Sequence, residues 1–310
     1  MKMGKKILST FLALAVAVTC LIVPGTDAKA ATYENKYDAN GLFFGTSVYN
    51  YGNISINAQG QMVSDDENEH TEYVDKLRLV KEKGSDDYPI GYLGLDSKTS
   101  DAEIIAVKSS SKNLKCIISD SYKSTYTFQS KYDNETDTWG WADSTVGVLA
   151  KKTGTYKVTA TVKLANGTTV DKVATVKVVN KYPIEIKPAT SKLTTDGTYD
   201  AKSVKVKIVK GKDVSNVQSY YSNKIYTKIT NADGTTDYAY NNYKKFKSGK
   251  KITLNKQVSP SYTDENEYRT HKHTTNYWYA PTSILVIYTD NFYGVNTYTT
   301  TTLEKYRKIK

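Results

Sequence analysis

The 310-residue sequence has only two cysteines, three histidines, three tryptophans and six prolines, and each scarcity removes a class of explanation. Cys20 lies inside an N-terminal apolar run, so once that run is removed Cys116 stands alone and no intrachain disulfide can form. Packing alone must then hold the fold. Three histidines leave little room for Ser-His-Asp catalysis or a zinc cage. There is no Gly-x-Ser-x-Gly elbow, His-Glu-x-x-His helix or phosphate-cradling glycine loop. Long helical patterns are also missing. With 27 tyrosines and abundant threonine in their place, the composition favours β structure throughout.

What is present begins with a segment unlike the rest. Lys2, Lys5 and Lys6 form a basic head, Ile7 to Val23 is nearly all apolar, and Ala28-Lys29-Ala30 puts small residues where a signal peptidase cuts. This reads as a secretory signal cleaved after Ala30. Ser9 and Thr10 interrupt the apolar run and Pro24-Gly25 closes it, which leaves it short of the roughly 20 residues of a membrane span. Thr19 before Cys20 argues against a lipid anchor, and the C-terminal residues show no sorting sequence or apolar tail. The expected location is therefore extracellular, with non-covalent retention at the cell surface and no transmembrane anchor.

The formal charge of +11 falls to +8 without the first thirty residues. Lysines recur at alternate positions, as in Lys205 and Lys207 among Val204, Val206 and Ile208. That pattern reads first as a solvated strand face, and second as attraction to an anionic cell-wall polymer or lipid headgroups. Nucleic acid is not an expected partner, since no binding motif is present.

The strongest structural signal runs from Gly154 to Val178. Tyr156, Val158, Ala160, Val162 and Leu164 share one face at period two, and threonine and lysine take the other. Asn166-Gly167 then predicts a tight antiparallel turn. Similar runs separated by turn signals fill residues 74–179, and a second series begins after Asn180-Lys181-Tyr182-Pro183. The expected division is a signal at 1–30, a lead segment with short strands at 31–72, one β-sandwich at 73–180 and a second at 181–310. Cys116, in Leu114-Lys115-Cys116-Ile117-Ile118, reads as a small buried hydrophobe.

Two pieces carry a family likeness: Ala106-Val107-Lys108-Ser109-Ser110-Ser111-Lys112-Asn113-Leu114, and Gly147 to Ala160 with its Gly154-Thr155 step into alternating valine and threonine. They resemble the bacterial Ig-like domains of the group 2 type, exported by Gram-positive bacteria. The resemblance covers about residues 74–179, and the chain departs from the family where Ser121 to Asp143 intervenes. It implies an all-β fold of tandem Ig-like β-sandwiches and an adhesive, spacer or display role, with no catalytic residue or cofactor to carry over. The second block is Ig-like by analogy alone.

The intervening segment holds the candidate ligand-binding residues Trp139, Trp141 and Asp143. Flat indole faces stack on sugar rings and a carboxylate bonds hydroxyls, whereas the structural alternative packs both indoles on the sandwich. Tyr220, Tyr221, Tyr238, Tyr240 and Tyr243, interleaved with Lys224, Lys244 and Lys245, read as half-exposed strand residues. His271 and His273, with Glu265 or Glu267, and the run Asp133, Glu135, Asp137 read as solvated segments rather than metal sites. The leading functional expectation is a secreted non-enzyme acting in adhesion or surface display, its partner an anionic cell-wall polymer, a glycan or a host or cell-surface protein. The alternative is a carbohydrate-binding accessory module using Trp139 and Trp141, and below it a hydrolase with an unrecognised carboxylate pair.

Overall fold

The computed structural model describes residues 36–64, 68–82, 88–99, 101–129, 136–224, 227–230, 236–239, 242–256, 262–266, 269–273 and 281–306. The signal-like run lies outside them. Among the described residues there is no α-helix, and no helix is long and apolar enough to cross a membrane. Residues 42–179 supply β1 (Leu42–Asn50), β2 (Ser55–Ile56), β3 (Met62–Val63), β4 (His70–Val74), β5 (Lys76–Val80), β6 (Ile90–Ser97), β7 (Glu103–Ser109), β8 (Leu114–Gln129), β9 (Thr136–Ala150), β10 (Gly154–Lys163) and β11 (Thr169–Val179). The remainder supplies β12 (Ile184–Pro188), β13 (Ser203–Lys210), β14 (Val214–Ser222), β15 (Thr227–Thr230), β16 (Thr236–Ala239), β17 (Lys244–Phe246), β18 (Lys251–Thr253), β19 (Tyr262–Asn266), β20 (Arg269–His273), β21 (Thr282–Asp290) and β22 (Val295–Leu303).

The first sandwich packs a five-stranded sheet, β4-β1-β6-β9-β8, on a four-stranded sheet, β5-β11-β10-β7. Alternation decides the packing: Leu93 and Leu95 of β6 and Val146 and Val148 of β9 turn inward to meet Val158, Val162 and Val176. All of these are at most 1% exposed, and such burial contributes about 1.5–3 kcal/mol per large side chain. Cys116 is half-buried at the edge of this core, where burial pushes its thiol pKa up. The apolar-alternating run Val74–Val80 is broken at Asp75. β4 ends in one sheet and β5 begins in the other, parallel to β11, where the Thr175 amide donates to the Asp75 carbonyl at 2.8 Å.

The β10–β11 hairpin pairs Tyr156 with Val176 and Lys163 with Thr169, but its turn differs from a two-residue Asn-Gly turn. Only Gly167 is left-handed, at φ 80°. The Leu164 amide donates to the Thr168 carbonyl at 2.8 Å, and Asn166 Oδ1 accepts from the Thr168 amide at 3.0 Å. The longer turn needs one positive φ instead of two, and glycine meets it.

The second sandwich packs a three-stranded sheet, β12-β13-β18, on a four-stranded sheet, β17-β14-β21-β22. Val204, Val206, Ile252 and Ile284 fill one part of its core, and Ile184, Val214, Val286 and Tyr288 another. Strand β14 carries no alternating signature because its register shifts between Ser215 and Gln218, where Asn216 takes φ 52°.

Segment 36–74 belongs to both sandwiches. β1 pairs with β6 as far as Gly45 and with β4 from Thr46 onward. A Cβ on Gly45 would lie 2.1 Å from the Val74 carbonyl oxygen, so glycine is required at this crossing. Farther along, the Tyr51 amide donates to the Asn296 carbonyl at 3.0 Å, and Asn296 Nδ2 donates to the Gly52 carbonyl at 2.9 Å. Ile54, 9% exposed, then packs on Tyr220, Leu285 and Ile287. The segment is a strap laid over the outer face of β14 and β21.

A second tie joins the sandwiches through charge. Arg78 of β5 makes a two-pronged pair with Asp290 of β21, with Nη2 2.8 Å from Oδ1 and both side chains almost wholly buried. Its guanidinium lies 5.0 Å from the Phe292 ring and 5.1 Å from the Tyr293 ring, and its amide donates to the Tyr293 hydroxyl at 2.7 Å. Lys177 pairs with Asp213 at 2.5 Å beside it.

Candidate ligand-binding face

The outer face of the five-stranded sheet is built from the residues that alternate with the core. On β6, Leu93 and Leu95 point in, so Ile90, Tyr92 and Gly94 point out. Cross-strand register sets rows across this face. Phe43, Asp96, Asp143 and Tyr122 form one row, and Gly45, Gly94 and Thr145 form the next. The two glycines leave a floor of bare backbone. Phe43, Tyr73, Tyr92, Asp96, Asp143 and Thr145 surround it, enclosing an open depression of about 450 Å³.

Aromatic and aliphatic surface is concentrated here. Tyr92 is 59% exposed, Ile90 62% and Ile117 63%, and the pairing Tyr92–Gly147–Ile117 makes the apolar surface continuous across three strands. Phe43 and Tyr73 meet edge to face at 5.4 Å. Lys36 Nζ lies 4.4 Å from the Tyr73 ring centroid and pairs with Asp96.

The two carboxylates of the first row differ in environment. Asp96 is neutralised by Lys36, while Asp143 has no ion-pair partner among the described residues. Burial raises the Asp143 pKa, the Asp96 charge raises it further, and Lys36 offsets part of the rise. Asp143 therefore offers unpartnered carboxylate oxygens at the rim of an aromatic depression. Such a group accepts from ligand hydroxyls while the rings cover apolar C–H faces.

Of the residues singled out in the sequence, Asp143 belongs to this face. The segment Ser121–Asp143, where the chain departs from the family likeness, is strand on both sides: β8 continues to Gln129 and β9 starts at Thr136, paired from Phe128–Asp137 to Tyr122–Asp143. A bulge between Ile118 and Asp120 absorbs the one-residue slip that otherwise hides the continuity. β6 ends opposite Ala142, so the ribbon beyond it stands clear of the sheet. Trp139 and Trp141 lie on that ribbon opposite Tyr126 and Ser124, four and two residues from Asp143 on the same strand. Their side chains lie outside the described residues.

No protein-family model matches the chain, and no curated protein matches it. Solved structures do. Fibronectin(III)-like modules of Clostridium thermocellum CbhA are 13% identical, with 75% of this chain and 90% of that chain covered and a TM-score of 0.23. The C-terminal domain of the Streptococcus agalactiae AgI/II polypeptide BspA is 10% identical over 74% and 99%, with a TM-score of 0.21. DIP-gamma IG1+IG2 is 8% identical over 75% and 95%, with a TM-score of 0.19. The sandwich assignment stands on this chain's own strand pairing.

The remaining candidates divide plainly. Tyr220 is buried beneath the strap, 8% exposed, and Tyr243 donates to or accepts from Ser283 at 2.9 Å, so both are packing residues. The side chains of Tyr238 and Tyr240 lie outside the described residues. His271 and His273 sit on β20, opposite Asp264 and Tyr262 of β19, and their side chains are likewise outside, as are Asp133, Glu135, Glu267 and the side chain of Asp137. Among the described residues no three His, Cys, Asp or Glu side chains converge to hold a metal ion. Sequence reasoning missed Phe43, Tyr73, Tyr92 and the paired glycines. Their one trace was alternation, with Tyr92 and Gly94 falling on the polar side of an otherwise ordinary strand.

Proposed function

We propose that the chain is a secreted, non-catalytic Ig-like protein of the bacterial group 2 type that acts in adhesion or surface display, and that it contacts envelope glycans through the outer face of the five-stranded sheet. One contrast carries this reading. The equivalent apolar face of the second sandwich is covered by the strap, whereas Ile90, Tyr92 and Ile117 remain exposed around a glycine floor and an unpaired carboxylate. An exposed apolar patch bordered by polar groups is the usual form of a contact surface. Binding of the purified protein to envelope polysaccharides tests it. Tyr92→Ala, Trp139→Ala and Asp143→Asn are expected to weaken binding with the fold intact, and unchanged affinity in all three overturns the reading.

The cross-strand pair Asp96 and Asp143 favours a second reading, a glycoside hydrolase. Asp96 is ion-paired with Lys36, while Asp143 has no such partner among the described residues and its pKa is raised by burial and by the Asp96 charge; two carboxylates in unlike environments are what acid catalysis of sugar cleavage uses. Release of reducing ends from wall glycans, abolished by Asp143→Asn, would establish it over the first. No release leaves the pair as a binding element.

A further inference from the structure

Charge is divided unequally along the chain. Residues 31–180 carry 17 Lys and Arg against 20 Asp and Glu, while residues 181–310 carry 22 against 11, so the basic character belongs to the second half. The structure gives part of that excess a shape. A cleft of about 460 Å³ lies where the sandwiches join, with Lys181, Lys210 and Lys212 around it. A second depression of about 400 Å³ shares Lys210 and adds Lys245 and Lys247, and a third of about 600 Å³ shares those two and adds Lys250.

The three depressions therefore form one track. The single carboxylate along it, Asp213, is already paired with Lys177. Arg78, at the cleft floor, is spent on Asp290. The six track lysines have no ion-pair partner among the described residues. Lys245 Nζ donates to a neutral oxygen, Gln218 Oε1, at 3.0 Å and lies 6.0 Å from the Tyr220 ring, and Lys250 Nζ rests 5.5 Å from the Tyr221 ring. A point anion would need convergent donors. Spaced, unpaired ammonium groups along linked depressions suit a chain with a repeating negative charge, and lysine binds phosphate as a flexible point charge.

We infer that this track binds a linear polyol-phosphate chain of the cell envelope. The polymer class rests on the envelope reading above, but the track is separate from the aromatic face. Each phosphate seated on a lysine releases condensed counterions, so affinity must fall steeply with salt.

The test measures binding of the purified protein to synthetic poly(glycerol phosphate) across a range of ionic strength. Glycerol phosphate monomer, polyglutamate and single-stranded DNA serve as comparison ligands. The combined variant Lys210→Gln, Lys245→Gln, Lys247→Gln is expected to lose affinity on the order of a hundredfold at low salt. Its log–log salt slope should become shallower by about 2. The same three positions changed to arginine should retain binding, which separates lost charge from lost fold. Removing equal charge from the first sandwich, with Lys108→Gln, Lys115→Gln, Lys157→Gln, should leave affinity nearly unchanged. Equal losses in both glutamine variants, or no polymer binding, overturns the proposal. Polyglutamate or single-stranded DNA binding as tightly as the polyol phosphate overturns the ligand class. Envelope binding that Tyr92→Ala removes and the track variant leaves intact sinks the track alone and keeps the glycan reading.

Discussion

The two sandwiches share an architecture and differ in what lies on their outer sheet. On the second, Leu285 is fully buried and Ile287 is 5% exposed because Ile54 and Tyr51 of the strap cover them. On the first, Ile90 and Ile117 exceed 60% exposure and nothing in the described chain covers them. An apolar sheet face in water is costly, at roughly 25 cal/mol for each Å² left uncovered. The chain covers one such face with its own leading residues and leaves the other open. The lysine balance separates the halves again: the half with the bare aromatic face is slightly acidic, and the half with the strap is strongly basic.

The largest effect should come from cutting what joins the halves. Arg78→Ala leaves Asp290 buried without its counter-charge and is expected to cost about 3–5 kcal/mol. Chemical denaturation should show a destabilised protein whose transition splits in two; a single unshifted transition would mean the halves fold independently of this pair. Ile54→Ala comes next, at about 2–4 kcal/mol, since it opens a cavity under the strap. Binding of an apolar dye to the variant should rise as the second sandwich becomes more like the first. If it does not, the strap is not what covers that face.

Tyr92→Ala should leave stability within about 0.5 kcal/mol, because the ring is largely in water already. Its effect belongs to binding, with a glycan affinity about tenfold weaker, equivalent to about 1.4 kcal/mol. Titration calorimetry beside a thermal melt separates the two quantities. Asp143→Asn should have the smallest effect on stability. The folded protein raises this carboxyl's pKa through burial and the neighbouring Asp96 charge, so its ionised form opposes folding above that pKa, and the penalty vanishes as pH falls through it. The variant should therefore melt slightly higher at neutral pH and match the parent in acid. A variant that melts lower at neutral pH would show Asp143 to be a stabilising group instead.

Much of the sandwich pattern was legible because burial on one side imposes period two, and Tyr156 to Leu164 state it openly. What escaped was wherever a second requirement overlaid that period. β14 hides behind the bulge at Asn216, and the continuity of β8 from Leu114 to Gln129 hides behind the bulge between Ile118 and Asp120. The unbroken apolar run Ile284 to Tyr288 did carry a sign of burial on both faces. It named no cover, since Ile54 lies more than two hundred residues away in the chain. The candidate site followed the same division: Asp143 was visible as a polar residue near tryptophans, but its neighbours Phe43, Tyr73 and Tyr92 come from three other strands.

By itself the sequence determined the strand faces and the antiparallel β10–β11 hairpin, because these depend on residues two to fifteen apart. Only the tertiary structure decided which apolar face is covered, where the unpaired lysines line up and which carboxylate lacks a partner. Those outcomes depend on register between strands distant in the chain, and local alternation carries no information about which strand lies alongside which.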